Sequence, residues 1–148
     1  MIISKATHLD LPDLVNMGRD FFYEAKWDEQ GIEWDDKASE KTLSMMLEDE
    51  NNIIFIAKTE VAIGMICGVI YPVWYNHNVN MAQEFFWYVK PEKRRGVGLK
   101  LLEALEKEVK ARGVKTFAML SVESMPKLDD LYVKCGYAPS EKTFIKRL

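Results

Sequence analysis

Cysteine is scarce in this chain, a strong excess of one charge is missing, and no apolar run is long enough to cross a bilayer. Each absence removes a class of protein. The two cysteines, Cys67 and Cys135, lie on unrelated segments among apolar or helical neighbours, where a thiol serves as a small hydrophobe; a disulfide framework and a metal knuckle are both excluded, and no metal is expected. Lys and Arg total 20 against 23 Asp and Glu, a formal charge of -3, which argues against a general nucleic-acid binder. The apolar stretch Ile53 to Ile70 is broken by Lys58, Glu60 and two glycines, and Met1-Ile2-Ile3-Ser4-Lys5 passes straight into polar sequence without the apolar core of a signal peptide. A cytoplasmic protein without a membrane partner is the expectation. Repeats, low-complexity tracts and linkers are also lacking, so 148 residues at 48% hydrophobic content suit one domain over 1–148.

What is present reads as alternating elements. Ile2 to Ala6 suits a strand, and Asp10 or Pro12 opens a helix whose apolar face carries Leu14, Val15, Met17, Phe21 and Phe22. From Ala25 to Asp36 the pattern gives way to aromatic and acidic residues, a loop with Gly31 as its flexible point. Asp35 to Glu48 regains helical spacing. Asn52 to Lys58 and Ala62 to Tyr71 form a hairpin of β-branched and apolar residues, with Gly64 and Gly68 marking close approach of another backbone. Pro72 to Asn80 is a second aromatic loop, Ala82 to Val89 a strand, and the run to Arg112 a helix with Glu103–Lys107 and Glu106–Lys110 pairs on its wet face and Gly113 as its stop. Val114 to Val122 reads as a strand, Pro126 to Lys134 as a short helix, and Thr143 to Ile145 as a last strand.

The most informative stretch joins the strand Phe85-Phe86-Trp87-Tyr88-Val89 to that long helix through Lys93-Arg94-Arg95-Gly96-Val97-Gly98-Leu99-Lys100. Helix N-termini leave backbone N–H groups unpaired and carry partial positive charge, so cations and missing Cβ atoms there suit a phosphate ester. Two phosphate motifs fail. A dinucleotide fingerprint needs glycine where Leu101 stands, and a P-loop needs Lys then Ser or Thr where Leu99 and Lys100 follow Gly98.

The turn with its Val89-Lys90-Pro91 lead-in, followed near the C-terminus by Leu131-Tyr132-Val133-Lys134-Cys135-Gly136-Tyr137, resembles the GNAT family of N-acetyltransferases over essentially the whole chain. Two positions depart from that pattern: Lys93 stands where Gln or Arg is usual, and Met125 where many members have Asn. The resemblance implies an α/β (α+β) fold, with a mixed, mostly antiparallel central sheet splayed at the cofactor site and flanked by helices. It implies acetyl-CoA as cosubstrate, its diphosphate held by the turn. Backbone amides of Arg94, Val97, Gly98 and Leu99 would contact the phosphates, and Lys93, Arg94, Arg95 and Lys100 would add charge. Trp87, Tyr88 and Val89 would offer their backbone to the pantetheine arm and the developing oxyanion.

By the same resemblance Tyr132 is the general acid toward the leaving thiolate, and Glu84, on the strand beside the expected acetyl position, is the candidate base, with His77 the alternative. Neither cysteine lies where the thioester is expected, so direct transfer to a primary amine of a small molecule or protein is expected. Trp27 and Trp34 in the first aromatic loop and Tyr75 in the second are candidate contacts for the cationic acceptor; the same aromatics would serve equally as a homodimer surface. A catalytically inactive coenzyme-A-binding or protein-interaction module on the same fold is the alternative function.

Overall fold

The computed structural model covers residues 1–148 and shows a five-stranded sheet in the order β1-β2-β3-β4-β5, flanked by four helices. Strands β1 (Ile2–Lys5), β2 (Asn52–Lys58), β3 (Ala62–Val73) and β4 (Asn76–Val89) run antiparallel to their neighbours, while β5 (Phe117–Ala118) lies parallel to β4. Helices α1 (Leu11–Glu24) and α2 (Asp36–Glu48) separate β1 from β2, α3 (Arg94–Ala111) makes the crossover from β4 to β5, and α4 (Lys127–Lys134) follows. No helix is long and apolar enough to cross a membrane.

Both faces of the sheet are covered, which is why β3 reads as a nearly unbroken apolar run. On one face Leu14, Met17 and Phe21 of α1 with Leu43 and Met46 of α2 pack on Ile54, Ile56, Met65, Cys67, Phe86 and Tyr88. On the other, Leu101, Leu102, Leu105 and Val109 of α3 pack on Ile53, Ala57, Ile63, Ile66, Ile70 and Val89. Gly64 and Gly68 permit that second contact. A Cβ at Gly64 would stand 3.1 Å from both Leu101 Cδ1 and the Tyr88 carbonyl oxygen, so another backbone does approach there as expected from sequence, while at Gly68 the neighbour is helix side chain, Leu105 Cδ1 at 3.0 Å.

Local chemistry explains where the helices begin. Asp10 closes a capping box on the 3-10 turn His8–Asp10 that leads into α1: its carboxylate accepts the Thr7 amide at 2.8 Å and the Thr7 hydroxyl at 3.2 Å, and it pairs with Lys58 across the sheet end. Burial would raise this carboxyl, but the Lys58 and Thr7 bonds outweigh it and hold Asp10 below the ordinary carboxylate range. Asp35 caps α2 by accepting the Ala38 amide at 2.8 Å.

Three segments differ from their sequence reading. Pro72 to Asn80 is not a loop: β3 continues to Val73 and β4 starts at Asn76, so the connection shrinks to Trp74 and Tyr75. Pro72 is tolerated because β2 has already ended opposite Val69, leaving no neighbour on that side to miss its N–H. The strand expected over Val114 to Val122 keeps only Phe117 and Ala118. Thr143 to Ile145 is not a strand either, with Phe144 and Ile145 exposed, since a two-residue β5 provides almost no ladder for a further strand.

Asp10→Ala removes both the capping box of the turn before α1 and the buried partner of Lys58. Urea unfolding at neutral pH should show a loss of about 2 kcal/mol, and the deficit should shrink as pH falls through the lowered Asp10 pKa, because the carboxylate's contribution exists only above it. A midpoint equal to that of the parent would refute the cap.

Candidate active site

β4 changes partners halfway along. Its register with β3 slips between Cys67 and Gly68, so that Cys67 faces Phe86 while Gly68 faces Glu84, and Phe85 is the extra residue of a bulge. On its other edge β4 meets β5 only through Ala82 with Phe117 and Gln83 with Ala118. Beyond Gln83 the two strands part. Lys90 donates its amide to the Ile63 carbonyl at 2.9 Å, and strand alternation then turns the backbone groups of Trp87 and Val89 toward the open edge. The Val89 carbonyl is taken there by Arg94 Nε at 3.0 Å.

Glu84 stands at the apex of this fork. Only 5% exposed, it accepts the Leu120 amide at 3.2 Å, so a side chain replaces the main-chain bond that a longer β5 would have made. Burial drives its pKa up to about 7, the Leu120 bond offsetting only part of that cost. At the carbonyl of the same residue, one peptide further along, Tyr132 of α4 donates its hydroxyl to Leu120 O at 2.7 Å. Burial first, then the negative charges of Glu84 and Asp129, push the Tyr132 phenol upward and keep it protonated. The two residues singled out as acid and base thus both bond to the main chain of Leu120, where β4 and β5 diverge.

The glycine turn lies at the wide end of the fork. Pro91–Lys93 form a single 3-10 turn, Arg95 is extended, Gly96 takes a left-handed φ of 76°, and uninterrupted helical dihedrals begin at Val97. Turns of this kind curl successive N–H groups into an anion-binding concavity. A Cβ at Gly96 would touch nothing, so glycine is required there by φ alone. At Gly98 space decides, since a Cβ would lie 3.1 Å from the Trp87 ring. Trp87 in turn stacks on Tyr132, with centroids 6.0 Å apart and planes 23° apart, and its buried indole N–H has no partner. This ring bridges the turn to the acid candidate, a role that the apolar strand pattern around it did not reveal. Tyr88 points to the opposite face, into the α1 packing.

The cations of the turn divide. Lys93, Arg95 and Lys100 are exposed and in no ion pair, whereas Arg94 makes two 2.6 Å bonds to Glu24 at the end of α1 besides its bond to Val89. Leu99 is exposed and Val97 is buried under α3. The aromatic candidates for the acceptor do not converge. Trp27 packs edge-on against Phe21 at 5.1 Å; Trp34 covers Gly18 and donates its indole N–H to Asp36 at 2.8 Å, so both belong to the packing around α1. Tyr75 sits at the far hairpin tip, roughly 26 Å of extended chain from Glu84, and it cannot share a pocket with Glu84 in the same chain. Leu120, whose N–H and C=O meet Glu84 and Tyr132 respectively, had no motif to mark it.

A raised carboxyl has a thermodynamic signature. The folded pKa of Glu84 lies above the unfolded value of 4.5, so its stabilising balance is complete below that value and is lost as pH rises through about 7. Relative to Glu84→Gln, the parent should lose about 3 kcal/mol between pH 4.5 and pH 8.5, read from urea midpoints. Parallel profiles for the two would show that Glu84 titrates as an ordinary carboxylate.

The family model described as the acetyltransferase (GNAT) family matches residues 19–137. No curated protein matches the sequence significantly. Among solved structures, a possible acetyltransferase from Clostridium difficile superposes with TM-score 0.80 at 15% identity, covering 98% of this chain and 95% of that one. A predicted acetyltransferase from Clostridium acetobutylicum, solved with acetyl-CoA, gives 0.75 at 19% identity over 98% and 94% of the two chains. An aminoglycoside acetyltransferase from an uncultured soil metagenomic sample gives 0.76 at 19% over 99% and 95%. At these identities the likeness is one of fold; the family match, covering most of the chain, is what assigns it. The chain belongs to the acetyltransferase (GNAT) family.

Proposed function

We propose that this family member is an N-acetyltransferase that moves an acetyl group from acetyl-CoA directly onto a primary amine. Glu84 takes the proton of the attacking ammonium, and Tyr132 returns one to the departing sulfur. The observation that carries this reading is that Glu84 and Tyr132 both bond to the main chain of Leu120, one at its N–H and one at its C=O, at the apex of an open strand fork.

The residues present fit the cosubstrate. An open β4 edge at Trp87 and Val89, an unpartnered indole N–H and a left-handed glycine with free space above it are polar features without an internal purpose. The concavity at Gly96 to Leu99 would hold the diphosphate, with Lys93, Arg95 and Lys100 as mobile counter-charges. Arg94 must give up the Val89 carbonyl before a ligand can pair along that edge. Acetyl-CoA supplies the acetyl group as an activated thioester; the chain supplies orientation and protons.

Direct transfer follows from the thiols. Cys67 is wholly buried, and burial together with the Glu84 charge drives its thiol upward, far from a reactive thiolate. Cys135 lies just beyond α4 with no activating base. Glu84, by contrast, is half ionised near neutrality, where a general base is most effective. For Tyr132 the structure shows a proton parked on a carbonyl, and a hydroxyl rotor needs only to turn to present it elsewhere.

Acetyl-CoA consumption over a panel of amines tests the reading. With an accepted amine, kcat should rise with pH through a limb near 7, and Glu84→Gln should lower it about 100-fold or more while abolishing that limb. Tyr132→Phe should lower kcat by a similar factor of about 100 and leave acetyl-CoA affinity, measured by calorimetry, within about twofold. Full turnover in both variants would overturn the roles given to Glu84 and Tyr132, whereas acetyl-CoA binding without transfer to any amine would favour the inactive binding module instead.

A further inference from the structure

From Val61 to Gln83 the chain contains no Lys, Arg, Asp or Glu, although 29% of its residues are charged. Burial accounts for the first half of that stretch and not for the second. β2 stops pairing with β3 at Val69, Ile70 makes a last bond to the Asn51 carbonyl at 2.8 Å, and β5 starts pairing with β4 at Ala82, so residues 71–81 form a two-stranded arm whose main-chain bonds run only within it. Nearly every residue from Pro72 to Asn80 is exposed. Free strand edges ordinarily carry charge that discourages pairing with other chains, and this arm carries only His77.

The arm also holds a knob and a hole. Trp74 at its tip is 85% exposed and set edge-on to Tyr75, whose own exposure is 74%. Beside the arm, against the start of β5, a cavity of about 350 Å³ is lined by Val73, Asn76, Val79, Met81 and Thr116 among others, all uncharged, and Trp74 takes no part in it. An indole left in water forfeits roughly 2–3 kcal/mol of burial, and its own cavity does not receive it.

We propose that the arm is the interface with a second copy of this chain, each Trp74 entering the cavity of its partner about a two-fold axis. Knob and hole lie on one surface, so a two-fold arrangement fills both cavities at once and closes the assembly as a dimer. Charge agrees with self-association. Each chain is acidic overall, and this is an exposed stretch where two copies meet without opposing like charges or stripping water from an ion. Its extent sets the strength. The arm presents roughly half of the 20–30 residues per side of a standard interface, so the dimer dissociates in the micromolar range.

Sedimentation velocity between about 1 μM and about 300 μM brackets such an affinity. Over that range the parent should pass from the mass of one chain to that of two. Trp74→Glu and Thr116→Arg should each weaken association at least ~30-fold and keep the parent's melting temperature and acetyl-CoA affinity. An equimolar mixture of the two variants should dimerise again. In it one intact indole meets one intact cavity, and the introduced carboxylate faces the introduced guanidinium. A parent that stays single throughout, a dimer indifferent to both substitutions, or a mixture that fails to pair overturns the proposal. So does a monomeric parent that binds phosphatidylcholine vesicles through Trp74, because the arm would then be a membrane contact.

Discussion

The fork between β4 and β5 is the constraint on which the rest of the molecule depends. A strand bonded on both edges has no free main-chain group to offer, and β4 gains one only because β5 leaves it after Ala118. Leaving has a cost, since the Leu120 amide loses the strand partner it would have had, and the Glu84 carboxylate offsets it by accepting that amide. The bulge at Phe85 makes this geometry available by resetting the pleat, so that Glu84 points toward Leu120 while Phe86 and Tyr88 still fill the α1 side of the core. Lengthening β5 would satisfy Leu120 without Glu84 and would close the edge at Trp87 and Val89.

Close contacts then set the distance from the fork to the glycine turn. Because β3 carries Gly64 and Gly68 under Leu101 and Leu105, α3 lies near the sheet, and because Gly98 lacks a Cβ, Trp87 can lie against the first turn of that helix. These contacts are rigid in the way of any packed interior. The concavity at Gly96 is therefore held at a defined height above β4, and the Arg94–Glu24 pair ties the same corner to the end of α1. That pair is partly exposed, so its value lies in placing the turn more than in stability.

Much of this could be read from residue order because local rules and tertiary contacts agree. The apolar face of α1, the β2–β3 hairpin and the helix after Gly98 each have an unambiguous period, and each folds as that period requires. The glycine turn was legible for a similar reason: φ at Gly96 is a local property. What sequence concealed was decided at a distance. Pro72 to Asn80 looked like a loop because Pro72, Asn76, Asn78 and Asn80 disfavour strands, yet ladder bonds between β3 and β4 override that propensity. β5 looked long because Val114 to Val122 is apolar, and its length was cut by the divergence from β4 that no residue of its own encodes. Trp27 and Trp34 looked available to a ligand because aromatic rings in an acidic loop give no sign of whether another helix already covers them.

Holding the proposed base and acid on the main chain of one residue, Leu120, has a consequence for proton traffic. Tyr132 is a poorer acid than a free phenol partly because the negative charge of Glu84 opposes ionisation nearby. In the proposed reaction Glu84 gains a proton from the amine before the sulfur departs, and that gain removes the opposing charge. Tyr132 then becomes more willing to give up its proton at the stage when a thiolate is there to receive it. Before that stage the same repulsion keeps the phenol intact. Two titrations coupled in this order behave as one device with shared apparent constants rather than as two independent residues. The coupling needs only that both groups be buried and near each other, and the fork supplies both conditions.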